Sequence, residues 1–483
     1  MSLKLCVLSL LVSMVATVVQ AQFLYSTNVD SITINSYTGE GGAVIIPHSI
    51  DGLPVKTIGR NAFRESPTLT SIVIPTSVTD IKSCAFYGCT GLESVTIPDS
   101  VTNLEAEVFA SCTSMTNAII GKNIKSILEL MFHNCVNLTS VTLGRNVTNI
   151  GLYAFDFCTN LQSVILPDGL ISIEMDAFAR SALTSITIPE TVTHIGGRAF
   201  ANCCQLSNVV ISEGLSAIDP LTFANCSSLT NLAIPASVTS LGGPAFSLCT
   251  NLTRIVVDGL NPAYSSVDGV LFDKYQTTLI QYPGNRPGTS YTIPDSVCRV
   301  GRQAFIASTN LTSIFVPNNV NLLEALAFSY CGRLTNIVVG SGLATIQDAA
   351  FYECKNLRGI YFWGKAPSLQ GYMAFWKCAS ATAFYLPGTS GWGQSYGGLP
   401  TALWQLPYPV ILNGCGTDGT QNNRFNFIVS WAGITSVVVE ASSSLAHPVW
   451  LPVGTNILIE GCSLFSDTER ANWPVRFYRV RSP

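Results

Sequence analysis

The chain has 483 residues, 47% of them hydrophobic and 11% charged, with a formal net charge of −4. So much apolar surface excludes a disordered chain. The weakly acidic balance, with no Lys/Arg run longer than a pair, argues against nucleic acid or an anionic membrane surface as partner.

Residues 1–21 read as a secretory signal. Lys4 gives the positive start, Leu5 to Val19 the apolar stretch, and Val19-Gln20-Ala21 the small residues of a cleavage site after Ala21. Fifteen apolar residues are short for a membrane span, and no second run of spanning length occurs. The expectation is a secreted or cell-surface protein with no transmembrane span in the mature chain. Residues 22–62 hold two strand-like runs, Ser31 to Ile34 and Ala43 to Pro47, and then Ile50 to Val55. This atypical segment is expected to cap the open end of a repeat array that begins at Phe63.

Residues 63–387 repeat. A phenylalanine recurs at Phe63, Phe86, Phe109, Phe132, Phe155, Phe178, Phe200, Phe223, Phe246, Phe305, Phe328, Phe351 and Phe375. The spacing is 23 residues apart from one-residue slips before Phe200 and Phe375 and a gap of 59 before Phe305. A fixed period in the twenties marks a solenoid whose coils bury a core only by stacking. In the coil Leu92 to Cys112, the alternation of Leu92 to Ile97 predicts a strand with Val95 and Ile97 inward. Pro98 turns the corner, and Val101 to Leu104 forms a second short strand. A tight, partly helical turn is expected to carry Phe109 and Cys112. The fold class is therefore a mostly β solenoid of stacked parallel strands. Residues 258–290 form an expanded coil, with a turn at Asn261 to Tyr264 and a hairpin nucleated at Asp268-Gly269.

Ten of the 16 cysteines occupy one F-x-x-C slot: Cys89, Cys112, Cys135, Cys158, Cys203, Cys226, Cys249, Cys331, Cys354 and Cys378. A cysteine in nearly every coil reads as a row of small, buried, reduced thiols rather than a disulfide framework. Cys415 and Cys462 lie outside the repeat and are the candidate disulfide pair.

The I-P-x-S-V-T-x-I-G-x-x-A-F-x-x-C-x-x-L pattern resembles the BspA-like leucine-rich repeat family of surface proteins. Ile50 to Phe63, Asp268 to Lys274 and Leu279 to Pro283 also fit that family, and the likeness covers residues 24 to about 387. It implies a leucine-rich repeat solenoid and a role in adhesion or in binding host or matrix components, with no catalytic residues to carry over.

Residues 388–423, rich in Gly, Pro and aromatics, read as a linker. Residues 424–483 predict strands at Phe425 to Trp431, Thr435 to Glu440, Asn456 to Glu460 and Arg476 to Val480, a small β-sandwich-like domain. This part resembles a C-terminal module of many exported proteins and suggests attachment at the envelope.

No catalytic signature emerges. His48, His133, His194 and His447 are isolated, no G-x-S-x-G or P-loop occurs, and Asp418 with Asn422 and Asn423 is a common acidic/amide loop. The expectation is a non-enzyme with no cofactor and no metal. The outward residues of the main strands are more informative. One row runs Ser71, Ser94, Asn117, Ser140, Ser163, Ser185, Asn208, Asn231 and Arg254; a second runs Val73, Thr96, Ile119, Thr142, Ile165, Thr187, Val210, Ala233, Val256, Phe315, Val338, Tyr361 and Tyr385. Phe315, Tyr361 and Tyr385, near Trp376, Trp363, Trp392 and Trp404, are the candidate binding residues for an extracellular protein or matrix component. The rival reading is carbohydrate binding on Trp363, Trp392 and Trp404. A third is a structural unit of an envelope layer that self-associates along exposed strands.

Overall fold

The computed structural model describes residues 22–412, 420–421, 424–468 and 475–483. The expected signal, Cys415 and the loop around Asp418 lie outside the described residues. The chain divides into two units, Met1–Tyr275 with Gln281–Arg286, and Gln276–Ile280 with Pro287–Pro483.

In the first unit each coil contributes one rung to each of three ladders. The main ladder is parallel: Ser94–Thr96, Asn117–Ile119 and Ser140–Thr142 pair residue for residue at an offset of 23. Val95, Ala118 and Val141 are buried between exposed neighbours, as a two-residue alternation requires. After the corner, a second ladder joins Ser126–Ile127, Asn149–Ile150, Ser172–Ile173 and His194–Ile195.

The third ladder corrects an expectation. The turn carrying the phenylalanine is not helical, and no helix occurs among the described residues. In every coil but those of Phe246 and Phe375 the residues two before and two after the phenylalanine are left-handed, as at Glu107 and Ser111 (φ 61° each) and Leu130 and Asn134 (φ 53° and 59°). Left-handed residues so close together turn the amides away from the i−4 carbonyls and toward the next coil. Phe109 N–H donates to Met131 O at 3.0 Å and Ser111 N–H to His133 O at 2.8 Å. Each left-handed, non-glycine residue costs roughly 1–2 kcal/mol, offset by a ladder that satisfies backbone groups that would otherwise be buried unpaired.

Inside this turn the phenylalanines stack. From Phe63 to Phe246 successive ring centroids lie 4.8–6.1 Å apart with interplanar angles of 19° or less. Tyr37 stacks on Phe63 at 5.1 Å and Phe23 meets it edge-on at 6.2 Å, so residues 22–62 close the aromatic column. The strand Ile32–Tyr37 pairs antiparallel with Phe23–Thr27 and parallel with Leu53–Ile58, entering the second ladder.

The cysteine row lies beside this column. Each of the ten thiols is buried and unbridged. Its Sγ donates to the carbonyl of the phenylalanine one coil back at 3.0–3.2 Å, from Cys89 on Phe63 to Cys378 on Phe351. That carbonyl also accepts the cysteine N–H of its own coil, as Cys89 N–H on Phe86 O at 3.2 Å, so the thiol uses its second lone pair. Ser66, Ser181 and Ser308 take the slot in the three coils without a cysteine, and Ser181 touches Cys203 Sγ at 3.2 Å.

The expanded coil of the first unit carries an antiparallel hairpin, Tyr264–Val267 with Val270–Asp273, around Asp268 (φ 49°) and Gly269 (φ 82°). Buried Asn261 fastens it: Nδ2 donates to Pro235 O and Val238 O, and Oδ1 accepts from Ala263 N and Tyr264 N.

The second unit repeats the scheme. Its main ladder runs through Ser290–Thr292, Ser313–Val316, Asn336–Val339, Gly359–Phe362 and Thr382–Tyr385. Its phenylalanines Phe305, Phe328, Phe351 and Phe375 stack at 4.8–5.4 Å. The stretch expected as a linker is structured in its described part. Leu399–Leu403 pairs in parallel with Thr382–Tyr385 as a last rung, and Val410–Leu412 joins the C-terminal module. The bare edge of Thr382–Tyr385 needs a partner, and the Thr-Ala-Leu that follows Pro400 supplies one.

The C-terminal module has two antiparallel sheets. Arg424–Ser430 centres one, with Val410–Leu412 and Cys462–Asp467 beside it; Ser436–Ser442 centres the other, between Leu451–Ile457 and Phe477–Arg481. Phe427, Val429, Trp431, Val437, Val439, Leu458 and Phe465 form the shared core. The expected strand at 456–460 is instead Leu451–Ile457, and the strand Cys462–Asp467 has no counterpart in the sequence reading. Buried Glu440 accepts from Arg479 at 2.7 Å and Arg481 at 2.8 Å, which ties the last strand to the module and holds the carboxyl below its ordinary range, with the Arg481 bond the larger cause.

The column and the thiol row are both open to test. Phe155→Ala removes one ring from the column and should destabilise the solenoid by about 3–5 kcal/mol, read as a lower urea midpoint by circular dichroism; Phe155→Leu should lose markedly less. Burial pushes Cys89 up to about 11 and Cys203 and Cys249 up to about 12. A thiol reagent at mildly alkaline pH should therefore label exposed Cys204 and Cys298 in the native protein. The row should react only after denaturation.

The candidate binding face of the main strands

The main ladder exposes every second residue. Its alignment sets identical backbone positions about 4.8 Å apart, so outward side chains form rows across the coils. In the first unit the outer row exposes Ile45 (64%), Val73 (54%), Ile119 (40%), Ile165 (87%), Val210 (44%) and Val256 (47%). Thr96, Thr142 and Thr187 stand exposed between them. The pairings Ile45 with Val73, Thr96 with Ile119 and Thr142, and Thr187 with Val210 fix these neighbours.

Beside this row, Ser140 Oγ donates to Asn117 Oδ1 at 2.9 Å and Arg254 Nε to Asn231 Oδ1 at 3.0 Å. One residue earlier, Thr139 Oγ donates to Thr116 O and Thr253 Oγ to Thr230 O, both at 2.9 Å. Hydroxyls that bond the preceding coil order the surface. A shallow depression of about 390 Å³ lies between Thr142, Arg145, Ile165 and Asp168.

In the second unit the outer row is Thr292, Phe315, Val338, Tyr361 and Phe384. Phe315 is 38% exposed. Tyr385 does not belong to this row: it pairs with buried Phe362, and Phe384 pairs with Tyr361. The last coil has no residue equivalent to Arg358, because Thr382 follows Ala381 directly and its N–H reaches Arg358 O at 2.9 Å. Counting from the leucine position therefore slips by one.

The aromatics around these strands pack on one another. Tyr361 stacks on Phe384 at 4.8 Å and tilts against Trp404 at 5.1 Å; Trp404 meets Trp363 edge-on at 5.5 Å. Trp363 and Trp404 also pack on Leu386, Val410 and Leu412, joining the last rungs to the C-terminal module. Trp392 stacks on Tyr385 at 5.1 Å and its Nε1 donates to Thr389 Oγ1 at 3.0 Å. Trp363, Trp392 and Trp404 are half-buried. Cys462 is partly buried, with burial raising its thiol above the ordinary range.

The turn face holds groups that sequence reasoning did not bring together. His133 lies 3.4 Å from Asp156, whose buried carboxylate takes a two-pronged bond from Arg180 at 2.8 and 3.0 Å. In the second unit Tyr330, Tyr372 and Trp376 stand exposed on this face. The usable signal is the two positions after a repeat phenylalanine, where the coils that carry a polar or large aromatic residue, such as His133, Tyr330 and Trp376, expose it at least in part. Among the described residues no group of three or more His, Cys, Asp or Glu could hold a metal ion, and no helix is long and apolar enough to cross a membrane.

A family model for the BspA type leucine rich repeat region matches residues 56–183, 148–276 and 284–391. Solved structures similar to the chain include a leucine rich cell surface protein from Faecalibacterium prausnitzii, 27% identical over 75% of this chain and 93% of that one, TM-score 0.48. The pneumococcal vaccine antigen PcpA is 19% identical over 80% of this chain and 98% of that one, TM-score 0.42. A leucine-rich repeat protein from Bacteroides ovatus is 21% identical over 75% and 93%, TM-score 0.39. No curated protein shows significant similarity. With the repeat model matching well over half of its length, the chain belongs to the BspA-type leucine-rich repeat family.

Proposed function

We propose that this is an exported, non-enzymatic bacterial surface protein that binds an extracellular protein or matrix component across its main-strand face. The observation that carries the reading is the exposed apolar row from Ile45 to Val256 in the first unit. Its neighbouring row has no charged residue before Arg254. Exposed apolar surface arranged contiguously marks interaction sites. β-branched side chains are already restricted at χ1, and the hydroxyl ladders hold the backbone beneath them, so little entropy is lost on binding. Phe315 extends the same chemistry in the second unit. Tyr361, Tyr385, Trp363, Trp392 and Trp404 serve this reading as supports of the last strands. The C-terminal module is the part we assign to holding the protein at the envelope.

Two measurements test this. The mature chain, screened on an array of extracellular matrix proteins, should bind at least one saturably. The triple change Ile119→Ser, Ile165→Ser and Val210→Ser should weaken that binding at least about ten-fold, since each position forfeits roughly 1 kcal/mol of apolar burial, while the melting temperature stays within a few degrees. Undiminished binding by the triple variant would move the site off this face. For export, N-terminal sequencing of protein recovered from outside the cytoplasm should begin at Gln22; recovery of an intact residue 1 would defeat that part.

A further inference from the structure

On the turn face of the second unit, Arg302, Leu326, Tyr330, Asp348, Tyr352 and Met373 line an open groove of about 490 Å³. It lies on a different face from the main-strand rows, and it owes nothing to them. Tyr330 N–H donates to Tyr352 O at 2.8 Å and Glu353 N–H to Trp376 O at 2.9 Å, so the backbones of three successive coils that each carry an aromatic residue are tied together at this edge, with Tyr330 and Tyr352 lining the groove. Tyr352 and Trp376 each directly follow a repeat phenylalanine, which puts their backbones about one strand spacing, ~4.8 Å, apart. Tyr330 meets Tyr352 edge-on at 5.5 Å. Tyr330 is 48% exposed, Trp376 53% and Tyr372 fully exposed, an unusual amount of aromatic surface away from any core.

The polar lining has both signs and both hydrogen-bonding senses. Asp348 Oδ1 accepts from Met373 N–H at 3.1 Å, which fixes the carboxylate at the groove. Among the described residues its Oδ2, the Arg302 guanidinium and the hydroxyls of Tyr330 and Tyr352 have no hydrogen-bond partner. At the rim, Lys355 and Lys377 are both paired to Glu353. A guanidinium that only donates, a carboxylate that only accepts and phenols that do both suit a ligand whose groups both donate and accept. Their opposite charges favour a neutral one. Flat rings at the spacing of the coils suit ligand faces of C–H bonds that recur along a chain. The lining residues span four coils, about 14 Å, enough for a few sugar units and well short of the ~800 Å² per side of an ordinary protein interface.

We infer that this groove is a binding site for a neutral oligosaccharide, with Tyr330 and Tyr352 as its aromatic lining, the exposed ring of Trp376 as a further platform beyond Met373, and Arg302 and Asp348 as hydroxyl partners.

The test uses the full mature chain and five probes: the hexaoses of cellulose, xylan, laminarin, chitin and amylose, by calorimetry and tryptophan fluorescence. At least one should bind saturably, with little change between low and high NaCl. Trp376→Ala and Tyr352→Ala should each weaken binding at least about ten-fold, and Trp376→Phe should retain most of it. Trp376 is a surface residue, so its variants should melt with the parent. The proposal is overturned if none of the five binds, if Trp376→Ala binds like the parent, or if affinity falls steeply with salt. It is equally overturned if the aromatic variants lose binding on the protein array rather than to sugars, because the groove would then be a protein site. Loss of matrix-protein binding in the main-strand triple variant bears only on the other face.

Discussion

A coil of this protein cannot satisfy its own backbone, and most of the architecture derives from that constraint. A helix in the turn would have closed its amides locally. Instead, paired left-handed residues such as Glu107 and Ser111 send Phe109 N–H and Ser111 N–H to the next coil, and the two strand ladders do the same on the other sides. Every coil then depends on its neighbours for hydrogen bonds as well as for burial, so register becomes strict: a coil displaced by one residue would lose bonds on three sides at once. The phenylalanine column and the thiols bonded to its carbonyls are consequences, since strict register brings like residues against like.

The fold was legible because its period is written in large apolar residues, which no loop insertion disguises. The turn was not. Local propensity favours a helix for stretches such as Glu105 to Phe109, and nothing about Glu107, Leu130 or Tyr153 announces a left-handed backbone; the neighbouring coil imposes it. The outward rows could be read from alternation alone, so Ile119, Ile165 and Val210 fall where counting puts them. Tyr385 does not, because the deletion opposite Arg358 is absorbed by pairing rather than by sequence position.

The tryptophans show a different limit. Trp363, Trp392 and Trp404 look alike in sequence to exposed stacking residues, being aromatic, near Gly and Pro, and outside the apolar repeat. What decides their role is a partner far along the chain: Trp363 and Trp404 meet each other, and Trp392 meets Phe362. A solenoid has an open end that needs covering, and in the second unit these rings, with Leu399–Leu403, cover it. In the first unit Phe23 and Tyr37 do the same at Phe63. Aromatics at the ends of a repeat array are thus poor evidence for ligands. Aromatics off the core that take no part in covering an end, such as Tyr330 and Tyr352, are better evidence.

That distinction bears on where such a fold can vary. The two positions after each phenylalanine carry Arg64 and Glu65, Tyr87 and Gly88, His133 and Asn134, Asp156 and Phe157, Tyr352 and Glu353, Trp376 and Lys377. The first amide of each pair bonds back within its own turn, as His133 N–H on Leu130 O, and the second bonds the next coil, as Asn134 N–H on Asp156 O, whatever side chain they bear, so the fold places little demand on identity where these side chains are exposed. One stretch uses that freedom for an ion pair, Asp156 with Arg180; another uses it for exposed rings. The main-strand face is more constrained, because its residues must also suit a pleated ladder, and from Ser71 to Asn231 its two outward rows hold only Ser, Asn, Thr, Val, Ile and Ala. Two faces under such different constraints suit different partners: a broad, stiff, uncharged sheet for a protein surface, and a locally variable turn edge where a few coils suffice to build a small site.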